Sequence, residues 1–465
     1  MKISQYVYLW SNKQALITVE MNINALTSMA HDPWSKRASM LLVAEDNVIR
    51  CFQGEKDLKS YRKLGKLFLD ARYFEDFKKT IAENKEISWK LFRELKKAKY
   101  QKLNAEQLFS LLKKNILQWE RQMTFFRATQ PEAVDALISK IRKYFSGNEL
   151  LECLHPSQAD ITQLEARAWQ KLIRLPYSNK NILAHVEKYP WIVAQHYTIA
   201  TVLDTLKHRY DEDFKKQSSP VPHTKPFSHP IDRKKYPKEA ETILERLNYL
   251  AWSRLEVKAC FAGLDYYLIP LMEEIARRGG ENIHDLQKYY LSHDIWLLLN
   301  KNEKLPSKEK KRRRDCFIGL WKNKQAQYFS GNQAEKIALQ ELGDLYRPKQ
   351  VQQFQGVIAS KGCVRGTARI LGANDKERAK ELRTSFQKGE ILVTQMTQPN
   401  IVDIASQAGA IVTDEGGMLS HAAVISREFG IPCIVGTSIA TLVLHDGDTV
   451  EVDANQGVVK IIKTT

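Results

Sequence analysis

From about residue 56 to residue 345, apolar side chains recur every three or four positions, the spacing of one buried helix face. The clearest case opens at Asn104, a residue suited to cap a helix, with Gln107 at the third helical position. Leu108, Leu111, Leu112, Ile116 and Trp119 then follow along one face. Before this stretch, residues 1–54 hold short runs of β type: Tyr6-Val7-Tyr8-Leu9-Trp10, Ala15-Leu16-Ile17-Thr18-Val19 and Met40-Leu41-Leu42-Val43-Ala44. They predict a small sheet or hairpin. Four prolines among serines between Gln217 and Pro230 break the helical pattern and predict an exposed loop. A second helical block runs from Lys238 to about Leu342.

The pattern changes again near Gln353. Short apolar runs separated by glycines replace the helical spacing: Val364 to Ile370, Ile391 to Val393, Ala410 to Val412, Cys433 to Val435, Thr449 to Val452 and Val458 to Ile462. The last 115 residues hold 12 of the 21 glycines, as expected where tight turns join strands. Two short helices are predicted between these strands. One starts at Asn400 after Pro399 and ends at Gly409. The other starts near Ser420 and ends at Gly430, with Pro432 just beyond. The expected division is 1–54, a small β-containing element; 55–216, helical; 217–237, a Pro-rich loop or linker; 238–350, a helical block; and 351–465, a compact α/β domain. The fold class is α+β overall, a mainly helical N-terminal body with that α/β domain after it.

Charge sharpens this division. The net charge is +17, yet residues 351–465 hold 11 Lys and Arg against 12 Asp and Glu, so the basic surplus belongs to the first 350 residues. Such a field favours acidic partners, nucleotides and phosphorylated metabolites among them, and is equally the mark of a Lys-rich solvated helical surface. The six cysteines are scattered with no CxxC pair, so neither a zinc site nor a disulfide framework is indicated. His185, His284 and His293 share no metal-ligand spacing, and no metal is expected. No apolar run approaches the roughly 18 residues that a membrane helix needs. The opening residues lack a basic region followed by an apolar block. A cytoplasmic protein without membrane partners is the expectation.

The densest chemistry lies in Thr413-Asp414-Glu415-Gly416-Gly417-Met418-Leu419-Ser420-His421-Ala422-Ala423-Val424-Ile425-Ser426-Arg427-Glu428-Phe429-Gly430-Ile431-Pro432. One histidine stands at the mouth of a helix, shortly after a double glycine. Imidazole is neutral and nucleophilic near pH 7. A helix start offers N–H donors and a favourable dipole to the anion that a phosphoryl adduct would be. Gly416 and Gly417 allow a left-handed turn and close approach. Ser420 is suited to cap the helix, to bond phosphate, or both. Arg427, two turns on, reaches phosphate only if it folds back, and otherwise faces solvent. Asp414 and Glu415 orient the turn. His421 is the candidate nucleophile, with Ser420, Gly416, Gly417 and Arg427 in support.

This stretch resembles the phosphohistidine motif of the mobile, swivelling domain of PEP-utilising enzymes, a family that includes phosphoenolpyruvate synthase, pyruvate phosphate dikinase and rifampicin phosphotransferase. The resemblance extends over about residues 354–463. It includes Lys361-Gly362-Cys363-Val364-Arg365-Gly366-Thr367-Ala368-Arg369, Gly389-Glu390-Ile391-Leu392-Val393 with Thr397-Gln398-Pro399, Ile431-Pro432-Cys433-Ile434-Val435-Gly436 and Asp446-Gly447-Asp448-Thr449-Val450. The block around Arg254 to Arg314 is weakly similar to the helical linker before this domain. The resemblance implies a β/β/α domain whose His421 is phosphorylated at an ATP-grasp station and passes the group to an acceptor elsewhere. Leu419 stands where the dikinase branch has threonine, which implies that control through that residue is absent.

Neither station is legible here. There is no GxxxxGK[ST] loop, no glycine-rich ATP-grasp segment and no succession of strand–helix units that would form a barrel. The leading reading is therefore a phosphohistidine carrier. Mg-ATP or phosphoenolpyruvate is its phosphoryl source through an ATP-grasp-type kinase chain or domain in trans, with a small-molecule acceptor and no tightly bound cofactor. A self-sufficient enzyme whose helical body hides a diverged nucleotide or acceptor site is the second reading. The third is a non-catalytic interaction or nucleic-acid-binding protein that retains the swivelling domain, for which the basic run Lys308 to Arg314 is the only sequence support.

Overall fold

The computed structural model describes residues 6–13, 15–25, 39–46, 48–145, 161–193, 198–216, 236–347, 351–372, 375–396, 401–416 and 420–464. The Pro-rich segment 217–235, the expected helix cap Asn400 and residues 417–419 lie outside them. The fold is α+β and the chain divides into two compact units. One comprises residues 1–14, 39–55 and 311–465, and the other comprises 15–38 and 56–310.

The second unit is helical. The expected helix at Asn104 spans Ala105–Ala128 and carries a full capping box: the Asn104 side chain accepts from the Gln107 N–H at 2.8 Å, and the Gln107 side chain accepts from the Asn104 N–H at 2.9 Å. Its buried face, Leu108, Leu111, Leu112, Ile116 and Trp119, packs in one apolar cluster with Leu91, Phe92 and Leu95 of the helix Ala71–Lys97. Ile269, Leu271, Met272 and Ile275 of the 42-residue helix Lys238–Gly279 join the same cluster. A second cluster gathers Phe68, Phe74, Phe77, Phe125, Ile243 and Leu247.

Ala15–Val19 does not form the expected strand. Leu16–Asn24 is a helix, with Leu16, Val19 and Ile23 fully buried. Those three positions are spaced three and four apart, and this helical period outweighs the β-branched composition of the run.

Near the end of the long helix, Glu274 accepts from Arg277 at 2.8 and 2.9 Å and from Arg278 at 2.7 Å. The bonds from Arg277, then those from Arg278, push its carboxyl down to about 2, against the opposing effect of burial. The group therefore stabilises the fold above its unfolded value of 4.5, and that contribution is lost as pH falls from there towards 2. Glu274→Gln removes it. In urea denaturation the variant will be less stable than the parent at pH 7, and the gap will narrow at pH 3. An unchanged gap would show that Glu274 is not the titrating group.

In the other unit, five strands form one antiparallel sheet: β1 (Tyr6–Lys13), β2 (Ser39–Glu45), β3 (Val48–Gly54), β4 (Phe317–Lys322) and β5 (Gln325–Ser330), in the order β1-β3-β2-β4-β5. The helical expectation for residues 238–350 thus fails at 317–330. The two strands there meet at Asn323 and Lys324, both with positive φ, 54° and 63°. That is the two-residue hairpin geometry usually signalled by glycine. The basic helix Ser307–Asp315 has no buried residue, but several of its charges are used locally. Lys310 bridges Glu281 and Asp285 at 2.8 and 2.9 Å, and Arg312 donates to the Ser330 carbonyl at 3.1 Å.

Among its described residues the C-terminal domain carries eight strands: β6 (Gln353–Gln355), β7 (Val357–Ser360), β8 (Cys363–Leu371), β9 (Ile391–Thr394), β10 (Ala410–Thr413), β11 (Cys433–Val435), β12 (Thr449–Asp453) and β13 (Val458–Lys463). Their order is β6-β13-β12-β8-β9-β10-β11-β7, with β8, β9, β10 and β11 mutually parallel. Parallel strands inside a sheet are covered on both faces, and β9, β10 and β11 are buried along their whole length, which explains their continuous apolar runs; β8 is only partly buried and carries Arg365 and Arg369. Leu392, Ile411, Cys433 and Val435 enter one cluster with Leu382, Ile404, Ala422, Ala423 and Ile425 from the helices. Ile391, Val393, Ala410, Val412 and Ile434 enter the other, with Val450, Val452 and Val459. The helix Lys376–Ser385, capped by the Asp375 side chain at the Arg378 N–H, was not legible in the sequence.

Candidate functional site

β10 delivers the chain to the motif. Three loops, one after each of the parallel strands β9, β10 and β11, are laced together there. The Asp414 and Glu415 N–H groups donate to the Thr394 and Gln395 carbonyls at 3.1 and 2.8 Å. The Thr437 and Ser438 N–H groups donate to the Thr413 and Asp414 carbonyls, both at 3.0 Å. The Asp414 side chain is 3% exposed and turned inward. It accepts from the Thr437 hydroxyl at 3.1 Å, from the Thr441 N–H at 3.2 Å and from the Thr441 hydroxyl. Burial raises its carboxyl above the usual carboxylate range, and the bonds from Thr441 and Thr437 oppose that. The sequence had marked Asp414 only as part of a turn. Its partners lie 23 and 27 residues away, beyond the reach of local pattern.

Gly416 has φ of 110°, a conformation that side chains resist. A Cβ there would lie 2.8 Å from the Ser420 Cβ and 2.9 Å from its Oγ. A Cβ on Gly436, in the adjoining loop, would lie 2.9 Å from the Gly416 carbonyl oxygen. The turn is thus packed to the backbone on one side and to the helix cap on the other.

Ser420 caps the helix His421–Phe429, and its Oγ accepts from the Ala423 N–H at 3.4 Å. The Ala423 N–H is therefore used within the cap. A hydroxyl that accepts still has a proton to donate. His421 is the first helical residue. Ala422, Ala423 and Ile425 bury the inner face of the helix, and Gly430 closes it in the left-handed conformation at φ 66°. Arg427 is exposed, as expected of a solvent-facing helix residue, and its Nε donates to the Ala359 carbonyl of β7 at 2.9 Å, which ties the helix to that strand. Gly417 and the His421 imidazole lie outside the described atoms. Among the described residues, no group of three or more His, Cys, Asp or Glu side chains could hold a metal, and no helix is long and apolar enough to cross a membrane.

This constellation, a β/β/α domain with a histidine at a Ser-capped helix start, has a family. Residues 386–457 match the model described as PEP-utilising enzyme, mobile domain. The match to that family's mobile domain lies wholly within the C-terminal domain. It is 50% identical over 105 residues to a probable phosphoenolpyruvate synthase of Staphylothermus marinus, an alignment covering 23% of this chain and 12% of the relative. An uncharacterised phosphotransferase of Bacillus subtilis is 41% identical over 108 residues, 23% of this chain and 12% of the other. A chondramide synthase of Chondromyces crocatus is 42% identical over 113 residues, 24% of this chain and 3% of the other. The match thus takes up about an eighth of the first two relatives, and the helical unit and five-stranded sheet lie outside it.

Proposed function

We propose that His421 carries a phosphoryl group between a donor bound by another domain or chain and a small-molecule acceptor. An imidazole nitrogen attacks the donor phosphorus, and a P–N bond forms as the donor P–O bond breaks. In the second half an acceptor oxygen takes the group, the P–N bond breaks and the acceptor's proton passes to solvent. Mg-ATP or phosphoenolpyruvate is the source, presented by a partner domain or chain, of ATP-grasp type where the donor is Mg-ATP. The supporting observation is the placement of His421 as first residue of a Ser420-capped helix, in a domain whose family is that of phosphoryl-handling enzymes. The helix start supplies N–H donors and positive dipole to the adduct, and the Ser420 hydroxyl proton is directed to the same anion. Arg427, already bonded to Ala359, contributes through the position of the helix.

The test is phosphohistidine mapping of the protein isolated from its own cells under alkaline conditions. An acid-labile phosphate on the peptide containing His421 supports the carrier. Its absence when the protein is abundant and Mg-ATP and phosphoenolpyruvate are replete would sink the proposal.

Gly416→Ala probes the same reading. Alanine resists φ of 110° and meets Ser420, so the helix cap shifts. Misplacement of this order lowers the phosphorylation rate about 10- to 100-fold, while circular dichroism stays that of a folded chain. A variant labelled at the parent rate would show that the turn does not position His421.

A further inference from the structure

The carboxyl ends of β9, β10 and β11 adjoin a cavity of about 420 Å³. One wall is Gln395 just past β9, Asp414 just past β10, and Thr441 and Leu442 on the short helix after β11. The other wall comes from the five-stranded sheet and the segment that follows it: Tyr8, Glu45, Val48, Arg50, Tyr346 and Arg347. Crevices outside the carboxyl ends of parallel strands are where α/β sheets take ligands. The volume lies within the range of small-molecule sites. The loop that leads to His421 leaves β10 at this same edge.

A count of donors and acceptors says what the cavity wants. Both carboxylates are already used. Glu45 accepts the Tyr346 hydroxyl at 2.7 Å on one oxygen and Arg50 on the other. The Asp414 oxygens are filled by Thr437 and Thr441. The guanidiniums are not exhausted. Arg50 gives one bond to the Tyr346 carbonyl at 2.9 Å and one to Glu45, two of the five N–H donors such a group carries. Arg347 holds Glu335 through Nη2 at 2.8 Å, with a Glu45 oxygen 3.7 Å from the same nitrogen; its other N–H donors are not taken by either carboxylate, and its side chain is 59% exposed. Both guanidinium carbons lie close to the Tyr346 ring, 5.0 and 5.2 Å from its centroid, so the two cations gather around one aromatic ring. What remains on offer is a pair of neighbouring cations beside the aliphatic surface of Val48 and Leu442.

We propose that this cavity binds a small organic oxyanion, a carboxylate or a phosphate ester, with its anionic group against Arg50 and Arg347. Guanidinium recognises either oxyanion through paired N–H bonds. An oxyanion fills a minor part of the space, given about 30 Å³ for one water, so an organic body lies along Val48 and Leu442. The role assigned to this ligand, acceptor for the group on His421, rests on the carrier reading. Its binding does not.

Titration calorimetry on the full chain carrying His421→Ala, with phosphoglycolate as probe, separates the two. Saturable binding is expected without the histidine. Arg347→Gln weakens it about tenfold, as loss of a charge-assisted bond does. Leu442→Trp fills the cavity, leaves every charge in place and abolishes binding. Inorganic phosphate and glycolate, titrated separately, tell which oxyanion the arginines prefer. No heat from any of the three probes up to about 10 mM, or binding indifferent to both substitutions, overturns the proposal. If His421 is phosphorylated in cells and none of the probes binds, the cavity assignment falls and the carrier stands. Binding without phosphorylation gives the converse.

Discussion

His421→Ala will abolish acid-labile phosphate on this protein, down to the level of an unphosphorylated control. The expectation is this complete because a nucleophile has no partial substitute. Ser420 cannot take over. Its oxygen is engaged with the Ala423 N–H, and a serine ester of phosphate survives the acid that cleaves a P–N bond. The substitution leaves the fold intact: Ala422, Ala423 and Ile425, which bury the helix, are untouched, and alanine is the best helix former. The assay is phosphate retention after alkaline isolation, before and after brief acid treatment, with a circular dichroism spectrum alongside. Acid-labile phosphate that persists in the variant would place the carrier on another residue and remove the basis for the proposed function.

Gly65→Ala carries the largest expected cost in stability. A Cβ at Gly65 would lie 1.8 Å from the Ala133 carbonyl oxygen and 2.9 Å from the carbonyl carbon. Both atoms are backbone, of the helix Pro131–Ile141, so no side chain can turn aside. The 3-10 turn Gly65–Leu69 would have to move off that helix and take Phe68 out of its aromatic cluster, where it meets Phe77 at 4.9 Å between ring centroids. Overpacking against fixed backbone costs about 3 kcal/mol or more. For a unit of this size that lowers Tm by about 6–12 °C. Gly372→Ala is the control, since its Cβ would meet Asp375 no closer than 3.6 Å, and it will shift the midpoint little. A parent-like midpoint for Gly65→Ala would mean that the two helices are not in this contact.

The site was legible where its logic is local. Gly416, Ser420 and His421 lie within six positions of one another, and a helix cap is a short-range device. Strands β9, β10 and β11 were legible for a related reason: burial on both faces leaves continuous apolar runs such as Ile391-Leu392-Val393, whereas the short strands β6 and β7 carry no such run and were missed. What escaped is long-range. The bonds from Thr437 and Thr441 to Asp414, and from Arg427 to Ala359 across 68 residues, follow from which strands are neighbours, and single-sequence pattern does not carry that. The Phe317–Lys322 and Gln325–Ser330 hairpin escaped because its turn uses Asn323 and Lys324 in place of glycine. The helix Leu16–Asn24 escaped because a β-branched run masked its period. The charge reading also changed meaning. Lys310 and Arg312 of the basic helix are engaged with carboxylates and a carbonyl, which weakens the case for that run as a docking surface.

The two ends of the eight-strand order, β6 and β7, are consecutive in the chain and separated by Gly356 alone. A Cβ on that residue would lie 2.6 Å from Ile434 and 2.8 Å from the Val435 carbonyl oxygen, so the junction is pressed against the strand it serves. One residue therefore acts as the clasp of a hoop. A piece meant to keep this hoop would run from Val351 through β13, since the 386–457 core matched by the family model omits β6, β7, β8 and β13. The alignments with relatives of very different length run over 105 to 113 residues, about the circumference of that hoop. Cargo handled by inheritance, or by a protein engineer grafting this domain elsewhere, has to travel with its clasp fastened.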